Sequence, residues 1–317
     1  MNLKDFPRPP NDSGIGMHFD IDLRDSKLDA HIPLMQEMGV KWAVYYTGDE
    51  LQTAKVAKRS WEAGIMPIIR PKCKIGQFPN WSAFVKAALD NCPAAYIQVF
   101  NEPGNTDEWK DKTYNLDSFI NYWSGAANQV VSAGGFPGLQ SMDDFETKAV
   151  LRSIKDTEIA GKLWFASHAY TSNHPPNYPY DKGQTVFEDD TCALRWIAEA
   201  HWCKSVLGFF PPVIVTEGGP AMEQQEDSTY PRIDKTMHAK WSVEIYEWFK
   251  GTLSNGQPLP DYLFAYCPFL LYDPDWFYFS GVNVALDTIQ AVKSMPLFVR
   301  NFSWDIEPDD LMFAARR

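Results

Sequence analysis

The segment AYIQVFNEPG, residues 95–104, runs a mostly apolar stretch straight into Asn101, Glu102 and a Pro-Gly turn. A nearly continuous apolar run that ends in turn residues is typical of a strand buried on both faces, as in a parallel sheet. A second segment of the same design, PVIVTEGG at residues 212–219, ends in Glu217 and two glycines. Each segment therefore predicts a buried strand with a glutamate at its carboxyl end.

Similar runs recur along the chain, each followed by a polar loop and a segment of helical period. The predicted strands lie at residues 14–20, 40–46, 65–70, 95–101, 136–141, 163–170, 212–217 and 262–268. The fifth run, FPGLQS, is the weakest because it contains Pro and Gly. Eight strand-helix units of roughly 40 residues each predict a single (β/α)8 barrel, an α/β fold. No Pro/Ser-rich linker divides the chain, so we expect one domain over residues 1–317 with an N-terminal extension over about residues 1–13.

Between the strands, apolar residues at helical spacing predict helices that end at glycine. The clearest of them cover residues 28–38, 49–63, 119–131 and 237–248. A doubly wound sheet is the alternative arrangement of such units. It is disfavoured because Gly14 and Gly16 are followed by Phe19, where a dinucleotide-binding fingerprint needs a third glycine.

Composition excludes several classes of function. The formal net charge of −12 repels phosphate backbones, so we expect no nucleic-acid partner. The longest nearly apolar stretch, residues 263–272, is well short of the about 20 residues that cross a bilayer, so we expect no membrane association. The first 14 residues contain no apolar h-region, so no secretory signal is predicted and the compartment stays open. We expect the five cysteines to be reduced, since they form no CxxC pair. We also expect a monomer.

Glu102 and Glu217 are the candidate catalytic residues. In a closed parallel barrel the carboxyl ends of the strands meet on one face, so these two side chains can face each other across the mouth. Retaining glycoside hydrolysis needs such a pair about 5–5.5 Å apart, one to protonate the leaving oxygen and one to attack the anomeric carbon. Because two ionised carboxylates at that distance repel, we expect one of the two pKa values to rise.

Three motifs resemble the retaining glycoside hydrolases of clan A, whose catalytic domains are (β/α)8 barrels. They are FNEPG at residues 100–104, SHAY at residues 167–170 and VTEGG at residues 215–219. The resemblance implies that Glu102, after the fourth strand, is the acid/base and that Glu217, ending the seventh, is the nucleophile. No family within the clan is assigned.

The resemblance also implies that Asn101 binds the substrate 2-hydroxyl and that His168 and Tyr170 order the surroundings of the nucleophile. A tyrosine hydroxyl that donates to Glu217 would favour its ionised form. Arg70 leaves the third strand, and substrate contact or an ion pair with a barrel carboxylate are equal alternatives for it. His18 and Asp20 share one face of the first strand and are candidates for the barrel interior.

Aromatic side chains after the strands are candidate sugar platforms, because a flat apolar ring stacks on the C–H face of a sugar. They are Trp81, Trp109, Tyr170, Tyr178, Trp276 and Tyr278. Trp276 is the best candidate, since it follows the last strand, where clan members often keep a platform under the reacting sugar.

The sequence thus predicts an enzyme that hydrolyses β-linked oligo- or polysaccharides with retention, with carbohydrate as its partner and with no metal or organic cofactor. One alternative is a carbohydrate-binding barrel without activity. Another is a metal-dependent sugar isomerase or aldolase on the same fold, although the six histidines show no familiar ligand spacing.

Overall fold

The computed structural model describes residues 2–271 and 286–305, in which eight parallel strands form one sheet in chain order. The strands are β1 (Gly16–His18), β2 (Trp42–Thr47), β3 (Met66–Pro71), β4 (Tyr96–Val99), β5 (Phe136–Leu139), β6 (Trp164–Tyr170), β7 (Val213–Gly219) and β8 (Leu263–Tyr266). The sheet closes between β8 and β1 through a parallel bridge from Ile15 to Tyr266. His18 N also donates to Pro268 O at 3.1 Å across the same seam. The predicted (β/α)8 barrel is confirmed, including its weak fifth strand.

Helices alternate with the strands and surround the barrel. Those in the described residues are α1 (Asp25–Glu37), α2 (Glu50–Glu62), α3 (Trp81–Leu89), α4 (Leu116–Ser132), α5 (Asp144–Ile154), α6 (Glu158–Lys162), α7 (Trp196–Leu207), α8 (Lys235–Glu247) and α9 (Leu286–Lys293). The four helices predicted most clearly are confirmed. Gly39 and Gly64, which follow α1 and α2, have φ angles of 73° and 74°, a left-handed conformation that glycine adopts without strain.

Asp and Asn side chains set where several helices begin. Each accepts a hydrogen bond from the backbone N–H three residues ahead, a contact worth about 1 kcal/mol. The capping residues are Asp49, Asn80, Asn115, Asp143 and Asp234. Because these helices start at the carboxyl ends of the strands, the caps fix the loops that surround the barrel mouth.

Within the described ranges, no helix combines the length and the apolar character needed to cross a bilayer.

The core has two layers, which follow from the alternation of side chains along each strand. Inward-facing residues near the strand starts fill the barrel, while outward-facing residues pack against the helices. The interior layer includes Trp42, Tyr96, Phe136, Trp164 and Phe264. A Cβ at Gly138 in β5 would lie 2.3 Å from Trp164 Cζ2. The glycine that weakened the sequence signal of β5 is therefore what makes room for the Trp164 indole.

The residues before β1 cover the amino-terminal end of the barrel. Phe6 is 4% exposed and packs against Phe136 at a centroid distance of 5.2 Å. Tyr96 Oη donates to Pro7 O at 2.7 Å, and Trp42 Nε1 donates to Asp12 Oδ1 at 2.9 Å. This segment, predicted as an extension, closes the barrel end opposite Glu102 and Glu217.

Candidate active site

Toward the carboxyl ends of the strands, the inward-facing side chains change from apolar to polar. Arg70 lies two residues beyond Ile68 on β3, Gln98 two beyond Tyr96 on β4, and His168 two beyond Ala166 on β6. The same strands therefore carry an apolar layer below and a polar layer at the barrel mouth.

A bulge in β7 determines which way Glu217 points. Ile214 faces the interior, so strict alternation would turn Thr216 inward and Glu217 outward. The pairing of β7 with β6 instead skips Thr216, since Val215 pairs with Ser167 and Glu217 with His168. The extra residue inverts the alternation, and Glu217 faces the barrel interior.

The end of β4 is also irregular, and the irregularity turns Asn101 toward the site. Phe100 follows Gln98 by two residues, yet it packs outward on Trp81, with ring centroids 5.4 Å apart. Phe100 and Glu102 have φ angles of 61° and 32°, a region that is strained for side chains other than glycine. Such strain persists where surrounding structure enforces it, and it concentrates at functional sites.

The two glutamates face each other across the barrel mouth. One carboxylate oxygen of Glu102, one of Glu217 and a ring nitrogen of His168 all lie within 4.8 Å of one another. His168 Nδ1 is 3.0 Å from Glu102 Oε1 and 3.8 Å from Glu217 Oε2. The Glu102 side chain is 28% exposed and that of Glu217 is 8% exposed. Glu102 therefore lies nearer the solvent, and Glu217 is the more deeply buried of the two.

Glu217 is held by two donors in addition to His168. Arg70 Nη1 donates to Glu217 Oε1, and the Tyr170 hydroxyl donates to Glu217 Oε2 at 2.7 Å. The structure therefore contains the tyrosine hydrogen bond expected from the sequence. For Arg70, it shows the ion-pair alternative, with the guanidinium also lying over the Tyr46 ring at 4.9 Å.

Cations lower the pKa of both glutamates. Burial raises the pKa of Glu217, but His168 and Arg70 outweigh it and hold this pKa well below its ordinary value. The hydrogen bond from His168 lowers the pKa of Glu102 despite its partial burial. The prediction that one of these pKa values rises is therefore wrong, because the site interposes positive charge between the carboxylates.

The pKa that rises in this site is that of His168 and not that of a carboxyl. Burial opposes the charged imidazolium, but Glu217 and Glu102 outweigh that effect and raise the pKa of His168. His18 behaves in the opposite way, since burial and Arg70 lower its pKa to about 3. His18 lies at the barrel interior as a neutral ring whose Nδ1 donates to Phe19 O at 2.8 Å. Asp20, its expected neighbour, is paired with Lys27 at 3.2 Å.

The Asn101 side chain is fixed by residues that sequence reasoning missed. Its Oδ1 accepts from Gln98 Nε2 at 3.2 Å and from Arg70 Nη1 at 3.3 Å, and its Nδ2 donates to Glu108 Oε1 at 3.0 Å. Gln98 had a detectable signal, because it is the one polar residue within an otherwise apolar strand. Glu108 had none, since it lies in a loop rich in acidic residues.

Three of the candidate sugar platforms are buried, so that interpretation is wrong for them. Trp81, Trp109 and Tyr178 are 1%, 2% and 6% exposed. Trp81 packs on Phe100, and Trp109 Nε1 donates to Pro103 O at 2.6 Å. Tyr178 donates to Asp189 Oδ2 at 2.6 Å. These aromatics hold the loops in place. Trp276 and Tyr278 lie outside the described residues.

The two glutamates and His168 also form the candidate metal site in the described ranges. Glu102, His168 and Glu217 each offer one ligand atom. Arg70 already places a positive charge on Glu217, and His168 binds a proton more tightly than an ordinary histidine. Metal ligation needs a neutral imidazole, so a metal at these three groups would compete with the proton that the two carboxylates favour on His168.

Comparisons with known proteins extend the fold assignment. No protein-family model matches the chain, and no curated protein matches it. A crystal structure of Saccharomyces cerevisiae Gas2 superposes with a TM-score of 0.52 at 12% identity, over 97% of this chain and 68% of that one. Gas2 in complex with laminaritriose and laminaritetraose superposes at 0.50 and 12% identity, over 98% and 68% of the two chains.

A further solved structure, the β-glucuronidase of Lactobacillus rhamnosus, matches at a TM-score of 0.48 and 13% identity, over 93% of this chain and 51% of that one. At 12% identity, the Gas2 superpositions show a common fold and nothing finer. The chain has a (β/α)8 barrel of the kind found in clan A glycoside hydrolases, the group that its motifs resemble, and no family within the clan is assigned.

Proposed function

We propose that this protein is a retaining glycoside hydrolase that cleaves β-linked oligo- or polysaccharides, with Glu217 as nucleophile and Glu102 as acid/base. The observation that carries the proposal is the approach of the two carboxylates within 4.8 Å. That separation is near the about 5–5.5 Å of retaining enzymes and well below the about 6.5–9.5 Å that inverting enzymes use to admit a water.

The surroundings of each glutamate fit its role. Arg70 and Tyr170 both donate to Glu217, which keeps it ionised and aimed as a nucleophile. Glu102 is the more exposed of the two and lies where a leaving group can depart toward solvent. Asn101, fixed by Gln98 and Glu108, lies beside both, where it can contact a sugar hydroxyl.

The acid proton comes from the pair formed by His168 and Glu102. The proton on His168 Nδ1 moves to Glu102 Oε1, which leaves a neutral imidazole and a protonated carboxyl. Glu102 then protonates the glycosidic oxygen as a Glu217 oxygen bonds to the anomeric carbon and the glycosidic bond breaks. In the second step, Glu102 takes a proton from water, the water oxygen bonds to the anomeric carbon, and the bond to Glu217 breaks.

Carbohydrate is the proposed partner, and the two carboxylates supply this chemistry without a metal or organic cofactor. One structural neighbour was solved with laminaritriose and laminaritetraose, so laminari-oligosaccharides are the first substrates to test. We propose a monomer, and Arg70, His168 and Tyr170 as residues that hold the nucleophile beneath the bound sugar.

A substrate panel tests the reaction class. The protein is incubated with β-glucans, mannans, xylans and galactans, and released reducing ends are measured with and without EDTA. We expect EDTA-insensitive release from at least one polymer and, by NMR, the β-anomer as the first product. Binding without release would favour the non-catalytic barrel, and loss of activity in EDTA would favour the metal-dependent alternative.

Azide rescue tests the two roles separately. On an aryl β-glycoside of the sugar that the panel identifies, Glu217→Gly with azide should give the α-glycosyl azide, because azide replaces the nucleophile in one displacement. Glu102→Ala should give the β-glycosyl azide, because azide then attacks the intermediate on Glu217. The reverse pattern, or wild-type rates in both variants without azide, would refute the assignment.

A further inference from the structure

Exposed apolar side chains are concentrated around the barrel mouth. In the described residues, seven of the ten large hydrophobic side chains that are exposed lie in loops after strands or in the first turn of the helix that follows. Three of the seven are neighbours: Tyr114 is 41% exposed, Met142 is 40% exposed and Phe145 is 69% exposed. Contiguous exposed apolar surface on a soluble domain marks a binding site more often than chance.

A buried carboxylate holds this apolar patch of Tyr114, Met142 and Phe145 in place. Glu146 is 2% exposed, and its Oε2 accepts from Met142 N at 2.8 Å. Its carboxylate also accepts a hydrogen bond from the Tyr114 hydroxyl, and Phe145 precedes it in α5. Arg195 Nη2 donates to Met142 O at 2.6 Å from the other side. These contacts fix the Tyr114 hydroxyl and the Met142 backbone, and thereby the segment that carries the patch.

The patch adjoins Glu102 rather than Glu217. A Cβ at Gly104, two residues after Glu102, would lie 2.8 Å from Met142 Cγ. The Tyr114 ring meets Trp109 edge-on at 5.8 Å, and Trp109 Nε1 donates to Pro103 O in the same turn. Tyr114 and Met142 therefore rest on the segment that positions the proposed acid, which is the side from which the leaving group departs.

We infer that Tyr114, Met142 and Phe145 form the leaving-group subsite and bind the apolar face of a neutral pyranose unit on the reducing side of the scissile bond. The inference rests on the proposed function and names the part of the substrate that this surface contacts. Aromatic rings offer flat apolar area to sugar C–H groups, and a methionine adapts to the ring contour. The net charge of −12 favours a neutral sugar over a uronate.

Two substrates that differ only on the leaving-group side separate this subsite from the rest of the cleft. One is the β-linked tetrasaccharide of the polymer that the panel identifies, and the other is the β-fluoride of the matching disaccharide, which has no leaving-group sugar. For Tyr114→Ala and Phe145→Ala we expect the ratio of kcat/KM for the tetrasaccharide to that for the fluoride to fall about tenfold, equivalent to about 1.4 kcal/mol. Tyr114→Phe keeps the ring and should recover most of the ratio.

Phe209→Ala is the matched control, since Phe209 is an exposed phenylalanine, 39% accessible, at the opposite end of the barrel. It should leave the ratio unchanged, with thermal unfolding monitoring the fold of every variant. An unchanged ratio in Tyr114→Ala and Phe145→Ala, with fluoride hydrolysis that still requires Glu217, overturns the subsite and leaves the proposed function intact. Fluoride hydrolysis that persists in Glu217→Gln overturns the proposed function itself.

Discussion

The lower and upper halves of the barrel interior are built from the same strands and are buried to a similar degree, yet their chemistry is opposed. In the lower half, Trp42 and Trp164 pack among apolar side chains, and their indole N–H groups donate to Asp12 and Phe136 O. In the upper half, Arg70 and Glu217 are charged and buried.

The upper half also leaves hydrogen-bonding capacity unused. Buried polar atoms without a hydrogen-bond partner include His18 Nε2, Gln98 Oε1 and His168 Nε2. Such orphaned groups are destabilising and are rare in folded proteins. The difference between the halves is that the lower layer is dominated by apolar packing, while the upper layer buries charged and polar groups, several of them without a protein partner.

The largest expected effect comes from a substitution in the polar upper layer, and it is an effect on catalysis. Glu217→Gln should lower kcat/KM by roughly 10⁴- to 10⁶-fold, the range seen when a nucleophile or its partner is removed from a hydrolase. Reducing-end release on the polymer that the panel identifies measures the loss. The control is Glu223→Gln, an exposed glutamate after β7 that pairs with Arg232, which should stay within about twofold of wild type. Equal losses in the two variants would contradict the assignment.

The matching change in the lower half should affect stability instead. Trp164→Ala removes a fully buried indole and should reduce the free energy of unfolding by about 3–5 kcal/mol. Urea denaturation followed by circular dichroism gives this value, and the folded fraction should keep the wild-type pH profile. The half-buried Trp61, changed to Ala, should cause a smaller loss, and equal losses would remove the distinction between the layers.

The third prediction concerns the proton that His168 and Glu102 share in the proposed mechanism. His168→Gln removes the group that holds it, so the alkaline limb of the kcat/KM profile should move to lower pH, toward the pKa of Glu102 alone. At pH 7, activity should fall by roughly 10²-fold, within the range for loss of general acid-base catalysis. Rates measured from pH 4 to 9 report the shift. A uniform fall with an unmoved limb would assign His168 a purely structural role.

The smallest predicted effect is on the pH dependence of stability. Glu217 has a lowered pKa, so its contribution is complete above its ordinary value of 4.5 and is lost as the pH falls through the folded-state pKa. His168 has a raised pKa, so its contribution is complete below 6.5 and is lost as the pH rises through the folded-state value.

Both contributions are therefore complete between these two values. Each unit of pKa shift is worth about 1.4 kcal/mol. His18, whose pKa is lowered to about 3, opposes them below pH 6.5, because its buried ring stays neutral where the unfolded chain binds a proton. The test is therefore the difference in urea midpoint between wild type and His168→Gln, which should be largest below pH 6.5 and shrink as the pH rises through the folded-state pKa of His168. A difference that grows above pH 6.5 would contradict the sign.

The fold was largely predictable because its signals are local. Apolar runs with turn residues at their ends marked all eight strands, and the glycine after α1 marked the helix end. The location of Glu102 and Glu217 on one face followed from the geometry of a closed parallel barrel. These inferences needed only the order and spacing of residues.

What sequence reasoning missed depends on contacts between distant segments. The left-handed φ of Phe100 and the bulge at Thr216 leave no sequence signature, because partner strands enforce them. Trp81 was interpreted as a platform because its position after a strand was known and its burial was not. The pKa error had the same origin, since Arg70 and His168 come from strands remote in sequence.

The bulge in β7 makes the site depend on counting as well as on chemistry. If β7 kept Thr216 but paired with β6 without the bulge, the carboxylate would alternate to the outer side of the barrel, against the surrounding helices. Arg70 would then lose its partner. If Thr216 were deleted instead, Glu217 would follow Val215 directly, and regular alternation would still turn it inward, opposite His168. A barrel that lacks the extra residue could therefore keep its glutamate in the same place.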